Sequence, residues 1–299
     1  MHEREVEGIL RWHNERWATP NRTAVLAKLT TIYEQNDVIV DGAPLALHRC
    51  CPSASECWAG EQDRVPRVFP ACNNSATEKP GESSSIFWPW VGEQYRPGGV
   101  CLVSLNLNNA KASGRDWWTI GVEYAIAEHA FDAFEHGKRS SQKSPFAYRV
   151  MATAQAVLAS RDGVDPVEEP APQEAAVAYE RVARIQAIKC SPADDYSRPS
   201  PAMRVNCPGR FARRELDVLA PGVIVAFGVV ARATIGLLGV TTWEEDREHF
   251  HRGKLAVADA EVDAFALAHP TDRRGPMWKA GQAELVSSLR VSPLSKRVG

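Results

Sequence analysis

The sequence predicts an α/β fold: a three-layer α/β/α domain with a central four-stranded, mostly parallel sheet, preceded by a helical and loop-rich N-terminal extension. Short runs rich in β-branched residues alternate with segments of helical periodicity over residues 100–299. Such alternation is typical of a parallel sheet covered by helices on both faces. With 299 residues, 44% of them hydrophobic, the chain is long enough to bury a substantial core.

The N-terminal extension, residues 1–99, divides into a helical part and an irregular part. Apolar residues at helical spacing in 5–35 predict two helices, separated at Thr19-Pro20-Asn21. Residues 41–99 are dominated by turn and loop chemistry. This segment contains four cysteines, Cys50, Cys51, Cys57 and Cys72. Long irregular segments are uncommon unless something other than a core holds them, and a metal cluster would do so.

Residues 100–299 contain the predicted sheet and its helices. The predicted strands are 100–105, 185–188, 223–227 and 264–268. The predicted helices are 120–134, 146–159, 174–182, 207–219, 229–238 and 278–289. An acidic, proline-containing connector, 161–173, is predicted to be a surface loop.

Composition argues against several classes of protein. The formal net charge is −2, so the chain as a whole lacks the polycationic character of many nucleic-acid-binding proteins. No apolar run approaches the ~20 residues that span a bilayer, and the charged start MHERE is unlike a secretory signal. We therefore expect a cytoplasmic protein without membrane attachment. In a reducing compartment its seven cysteines are expected to be thiols or metal ligands.

Three motifs follow one another between residues 185 and 290. A strand ends in Lys189-Cys190 and leads into a proline-rich loop with Cys207, a second strand ends at Gly228, and a last strand ends in the sequence FALAHPT. This order resembles the iron-sulfur branch of the bacterial and archaeal uracil-DNA glycosylases, of which the chain would be a divergent member. The segment VCLVSLNLNN occupies the position of the superfamily's first strand and catalytic loop.

The resemblance implies base-excision repair chemistry, in which a damaged pyrimidine, most plausibly uracil, is flipped out of DNA and its glycosidic bond is hydrolysed. The partner would be DNA, and the protein is expected to act as a monomer. An alternative stays open, because the loop after the first strand lacks the family's Gly-x-x-Pro. A superfamily member that binds a nucleic acid or nucleotide without hydrolysis would also fit that loop.

The resemblance also implies a 4Fe-4S cluster, for which cysteine thiolates are the usual ligands. Two ligands would be Cys190 and Cys207, and the family supplies the other two from the N-terminal side. We favour Cys51 and Cys57 because they are close in sequence, with Cys72 as the main competitor. Cys101 falls inside a predicted strand and is interpreted as a small core residue.

Catalytic roles carried over from the family fall on Asn106 and His269. Asn106 would position the attacking water, although capping of the strand end is an alternative and Asp116 is an alternative acid. His269, in His-Pro-Thr, would stabilise the departing base. Arg273 and Arg274 follow it and would contact DNA, unless they form a solvated basic turn.

Substrate binding is assigned in the same way to Trp118, Gln186 and Asn108. Trp118 would stack on the flipped base, with core packing as the alternative, and Asn108 is a near neighbour of Asn106. Gln186 stands where the iron-sulfur enzymes have an asparagine that reads the uracil edge. Glutamine keeps the donor and acceptor pair on a stem longer by one methylene. The pocket is therefore predicted to differ in depth or in the base that it accepts.

Overall fold

The fold is built on a mixed seven-stranded sheet, seen in a computed structural model of the chain. The structure describes residues 20–36, 53–57, 89–105, 145–189, 199–228, 231–240, 242–269 and 275–291. The strands are β1 (Trp90–Val91), β2 (Val100–Ser104), β3 (Val182–Gln186), β4 (Val223–Phe227), β5 (Trp243–Asp246), β6 (Phe250–Val257) and β7 (Ala260–Leu267).

The strand order across the sheet is β1-β3-β2-β4-β7-β6-β5. Strands β3, β2, β4 and β7 run parallel to one another. Strand β1 is antiparallel to β3, and β6 is antiparallel to both β5 and β7. The α/β class is thus confirmed. The prediction of a four-stranded, mostly parallel sheet was wrong, because three antiparallel strands extend the parallel centre at its two edges.

The three additional strands lack the apolar runs by which buried strands are recognised. Strand β5 has the sequence WEED and alternates half-buried with exposed residues. Strand β6 has the sequence FHRGKLAV, and its first four residues belong to the segment EHFHRG, whose sequence predicts a surface loop. Outer strands of a sheet tolerate charged side chains because one face or one edge meets solvent. Their sequences therefore resemble loops.

Eight α-helices lie within the described residues. They are α1 (Pro20–Glu34), α2 (Ala54–Cys57), α3 (Pro145–Arg161), α4 (Pro172–Tyr179), α5 (Pro201–Cys207), α6 (Arg213–Leu219), α7 (Ala231–Leu238) and α8 (Gly275–Val291). The predicted helix 120–134 lies outside the described residues. Among the described helices, none combines the length and the apolar character that crossing a membrane requires.

Helices α5 and α6 are joined by a π-helical turn, Pro208–Ala212, into one continuous helical segment. Pro208 has no backbone N–H, so it cannot make the normal bond to the carbonyl four residues earlier. Within the turn, the N–H of Arg213 donates to the carbonyl of Pro208, which is five residues back where an α-helix would use the carbonyl four residues back. The predicted helix 207–219 is therefore the second part of a longer element, whose start is capped by the Ser200 hydroxyl.

Two hydrophobic cores cover the two faces of the sheet. The first core packs α1, α2 and the helices from α5 to α7 against one face. The second packs α3, α4 and α8 against the other face. Successive strand residues alternate between them: Cys101 and Val103 of β2 belong to the first core, and Leu102 to the second. Cys101 is fully buried, as predicted for a core residue.

The described parts of the N-terminal extension join this α/β core. Strand β1 adds to the sheet beside β3. Helix α1 contributes Leu29 and Tyr33 to the first core. The Nε atom of Arg22, near the start of α1, donates to the carbonyl oxygen of Val91 over 2.7 Å. The extension is thus held to the sheet by polar contacts as well as by apolar packing.

A close backbone approach at Gly92 gives a direct test of this arrangement. An added Cβ at position 92 would lie 2.2 Å from the carbonyl oxygen of Glu180. We expect Gly92→Ala to lower the free energy of unfolding by about 1–3 kcal/mol, because backbone atoms must move apart. The matched change Gly236→Ala meets no atom within 4 Å in helix α7 and should stabilise by roughly 0.8–1 kcal/mol. Urea unfolding measures both, and shifts of the same sign would contradict the assignment.

Candidate functional site at the carboxyl edge of the sheet

The four parallel strands end at one edge of the sheet. Gln186 ends β3, Ser104 ends β2, Phe227 ends β4 and Leu267 ends β7, and these residues are direct neighbours in register. Among the four parallel strands β2 comes first in the chain but lies between β3 and β4, so the chain passes from β2 to β3 in one direction and then back across β2 to β4 in the other. Open α/β sheets bind ligands at such a switch point, outside the carboxyl ends of the strands.

Gln186 is the most unusual residue at this edge. Its side chain is fully buried, with 0% exposure. Neither the nitrogen nor the oxygen of its amide has a hydrogen-bond partner in the part of the chain that the structure describes. A buried amide without partners costs about 1–3 kcal/mol for each unsatisfied group. This is the arrangement expected of a group that pairs with a ligand.

Two further polar residues accompany Gln186, and we call Ser104, Arg184 and Gln186 the edge cluster. All three are buried, and Ser104 lies directly opposite Gln186 in the parallel ladder. The Nη2 atom of Arg184 donates to the Ser104 hydroxyl over 3.4 Å. Residues two apart in a strand share a face, so all three lie on the side of the second core, with Val182 and Leu102.

Gln186 was predicted from the sequence as a site residue, and Ser104 and Arg184 were not. A signal was present, because Arg184 interrupts the otherwise apolar strand start VARI. A charged residue is almost never fully buried unless it is paired, so a cation inside a buried strand indicates a specific polar environment. The serine gave no comparable signal, since serine is common at strand ends.

His269 lies at the same edge, two residues after β7, and is half-buried. Strands β2 and β4 separate β7 from β3. Three spacings of about 4.8 Å place the ends of β3 and β7 about 14 Å apart. The N–H of Ala268 donates to the carbonyl oxygen of His249 over 3.4 Å, which ties this end of β7 to the turn before β6. A ligand that contacts both Gln186 and His269 must pass over the ends of β2 and β4.

The other predicted members of the site lie outside the described residues. They are Asn106, Asn108, Asp116, Trp118, Arg273 and Arg274. The chain is described up to Leu105, whose carbonyl oxygen accepts a hydrogen bond from the N–H of Ile188 over 2.7 Å. The pairing of β2 and β3 thus leads to the residue that precedes Asn106. The roles of these six residues stay predictions.

A cysteine-containing region lies on the side of the first core, on the opposite face of the sheet from the edge cluster. The N–H of Lys189 donates to the Sγ atom of Cys207 over 3.0 Å, and both residues are buried. Cys57 ends α2, which packs on α5, and its carbonyl oxygen accepts a hydrogen bond from the Ser200 hydroxyl over 2.7 Å. The Nδ2 atom of Asn206 lies 3.9 Å from the Cys57 Sγ atom. Of the two described ligands, Cys207 is thus the last residue of α5, and Cys57 ends the helix that packs on α5.

The remaining predicted ligands, Cys51, Cys72 and Cys190, lie outside the described residues, although Cys190 directly follows Lys189 in the chain. Within the residues that the structure describes, no group of three or more His, Cys, Asp and Glu side chains is placed to hold a metal ion. The cluster stays a prediction, and the described part of it consists of Cys57, Cys207 and the backbone N–H of Lys189.

Lys189, whose backbone N–H contacts Cys207, also forms a buried ion pair with Glu215 through its side chain. The Lys189 Nζ atom is 2.5 Å from the Glu215 Oε2 atom, and the Tyr33 hydroxyl donates to Glu215 Oε1. All three side chains are buried. Burial raises the pKa of Glu215, and the Lys189 ammonium opposes that shift. The sequence does not indicate this group, because Glu215 has the spacing of an ordinary helix-surface residue and its burial depends on tertiary packing.

Comparison of the sequence with the profiles of known protein families gives no match, and comparison with curated proteins gives none.

Proposed function

We propose that the protein is a DNA glycosylase that flips a damaged pyrimidine, most plausibly uracil, out of DNA and hydrolyses its glycosidic bond. The observation that carries the proposal is the fully buried amide of Gln186 at the carboxyl edge of the parallel strands, which has no hydrogen-bond partner among the described residues. Enzymes that act on a base take it out of the stack and read its Watson–Crick edge in a closed pocket. A carboxamide offers one donor and one acceptor side by side, which complements the carbonyl and N–H of uracil.

The chemistry also needs one group that stabilises the leaving base and one that holds the water attacking the sugar. Water adds to C1′ of the deoxyribose while the base leaves with the bonding electron pair, so negative charge develops on the base and positive charge on the sugar. His269 is half-buried at the same edge and would stabilise the leaving base by donating a hydrogen bond. The resemblance to the glycosylase family implies that Asn106 would hold the attacking water. Both roles belong to residues that directly follow parallel strands.

An iron-sulfur cluster fits the donors that the chain provides. Cys190 and Cys207 would be ligands, with Cys51 and Cys57 favoured as the other two and Cys72 as the competitor for that N-terminal pair. Buried thiols suit such a site, and the N–H of Lys189 on the Cys207 Sγ atom is the kind of contact that stabilises a ligating sulfur. When bound, the cluster supplies a rigid cross-link between α2 and the segment before α5.

A second candidate function follows from the loop after β2. Its sequence, NLNN, lacks the Gly-x-x-Pro of the family's catalytic loop. A protein that binds a base in the same pocket without hydrolysing the glycosidic bond would keep Gln186 and lose the water-positioning geometry. With this second function, the chain would bind damaged DNA and release it unchanged.

Incubation with uracil-containing oligonucleotides, single- and double-stranded, followed by alkaline cleavage, is expected to give abasic product. Parallel substrates with hypoxanthine and xanthine define the range of bases. Gln186→Leu should lower the rate by about 100-fold or more, because the base edge loses its partners. The same change should raise the free energy of unfolding by about 1 kcal/mol, since it removes an unsatisfied buried amide.

The control is Gln155→Leu in α3, another amide whose buried oxygen has no partner among the described residues. It should stabilise the fold and leave the rate unchanged. Absence of abasic product from every substrate would refute the glycosylase, and tight binding in a gel-shift experiment without cleavage would then favour the second candidate. Loss of stability in Gln186→Leu would instead indicate a structural role for the amide.

A further inference from the structure

We propose that Arg184 is a specificity-determining residue of this site, which makes the edge cluster donor-rich and thereby selects a base with a carbonyl group over one with an amino group. The inference rests on the proposed function, because it concerns the same pocket. It predicts that the site accepts uracil and rejects cytosine, and that this discrimination depends on Arg184.

A carboxamide such as that of Gln186 is nearly symmetric in shape. The nitrogen and oxygen of an amide exchange places on rotation by 180° about the last side-chain bond. One orientation of Gln186 presents its nitrogen to a carbonyl oxygen, as on uracil, and the other presents its oxygen to an amino group, as on cytosine. No hydrogen bond among the described residues fixes either orientation. Gln186 alone therefore distinguishes the two bases poorly.

Arg184 removes that ambiguity because its side chain can only donate. A guanidinium has five N–H donors and no acceptor. It lies two residues before Gln186 on the same face of β3, and its Nη2 atom reaches the hydroxyl of Ser104, the residue directly opposite Gln186. The guanidinium is therefore directed along the strand towards the carboxyl edge. Its neighbourhood favours acceptors, whether they belong to the Gln186 amide or to a ligand.

Two consequences for the ligand follow from this charge. A cation on this face favours the orientation in which the Gln186 oxygen is turned towards it and the amide nitrogen towards the base, which then needs an acceptor at that position. An exocyclic amino group would bring a donor against a donor in a buried site, and such mismatches are among the most strongly discriminated in molecular recognition. The apolar surroundings, with Leu102 and Val182 on the same face, strengthen the effect by excluding water.

Binding to uncleavable duplexes tests the inference separately from catalysis. Affinity is measured for duplexes carrying 2′-fluoro-deoxyuridine or 2′-fluoro-deoxycytidine at one position. The wild-type protein should prefer the uridine duplex, and Arg184→Met should reduce that preference by about ten-fold or more, chiefly through tighter binding of cytidine. Arg184→Lys keeps a donor-only cation and should retain most of the preference.

Arg161→Met serves as the matched control, because Arg161 donates to the carbonyl oxygen of Gly98 before β2, at the opposite edge of the sheet. It should leave the preference unchanged. If Arg184→Met fails to fold, Ser104→Ala takes its place, since it removes the hydroxyl that holds the guanidinium. A preference for uridine that is the same in the wild type and in the Arg184 or Ser104 variant would overturn the inference. If the protein excises uracil but its uridine preference is the same in the variants, only the role of Arg184 is refuted. If the protein binds the uridine duplex selectively but excises no uracil, only the glycosylase activity is refuted.

Discussion

Replacing Glu215 with leucine is expected to lower the free energy of unfolding by about 3–5 kcal/mol. Lys189 and Glu215 have fully buried side chains, and their charged atoms are 2.5 Å apart. Removing the carboxylate leaves an ammonium in the core without its counter-charge, and it also leaves the Tyr33 hydroxyl without its acceptor. Both losses act in the native state, because these groups are solvated when the chain is unfolded.

The double variant Lys189→Met with Glu215→Leu provides the control. Replacing both members of a buried ion pair by apolar residues is often close to neutral, so most of the lost stability should return. Tyr33→Phe removes one hydrogen bond to a charged group and should cost about 1.5–3 kcal/mol. Chemical denaturation of all four proteins completes the comparison. A double variant as unstable as Glu215→Leu would contradict the expected recovery of stability.

Cys207→Ala is expected to abolish iron binding and the visible absorbance of protein purified without oxygen. The thiol is buried, accepts the Lys189 N–H, and ends α5, the helix on which the Cys57-containing helix α2 packs. Cys57→Ala should have the same effect, because a 4Fe-4S cluster generally needs all four of its thiolates. Iron and sulfide analysis gives the amount bound in each protein, and about four iron atoms per wild-type chain are expected.

Cys101→Ala is the matched control, since Cys101 is a buried cysteine of β2 and should keep the iron. Cys51→Ala and Cys72→Ala decide the fourth ligand, and one of them should retain full iron content. Iron that survives in Cys207→Ala would refute the assignment. A colourless wild-type protein with stoichiometric zinc would mean that the thiolates hold a different metal.

The centre of the sheet was predictable from the sequence and its margins were not. Strand β4, Val223–Phe227, has the predicted bounds because five apolar residues end at Gly228. Strand β7 begins at Ala260, before the predicted 264, because its first half is acidic and pairs with β6 in a hairpin. An apolar run in the sequence indicates a strand that is buried on both faces. The sequence does not indicate which charged segment pairs with the edge of the sheet, because that edge is created by tertiary structure.

The candidate site shows the same division. Gln186 and Cys207 could be named from motifs because each has a fixed place relative to a strand or loop. The partners of the cysteine region could not, since Tyr33 and Glu215 are far apart in sequence and meet through packing. Arg184 lay between the two cases: its charge inside an apolar strand was visible, but its direction towards Ser104 depends on the parallel register of β2 and β3.

The π-helical turn has a consequence for the phase of the helix that contains it. Glu215 comes eight positions after Cys207, which in a regular α-helix would turn the two side chains about 80° apart. The extra residue in the turn Pro208–Ala212 reduces the separation to the equivalent of seven positions, about 20° short of two full turns. Both side chains then lie on one stripe. Lys189 can therefore contact Cys207 through its backbone and Glu215 through its ammonium, and the proline keeps the sulfur and the carboxylate in phase.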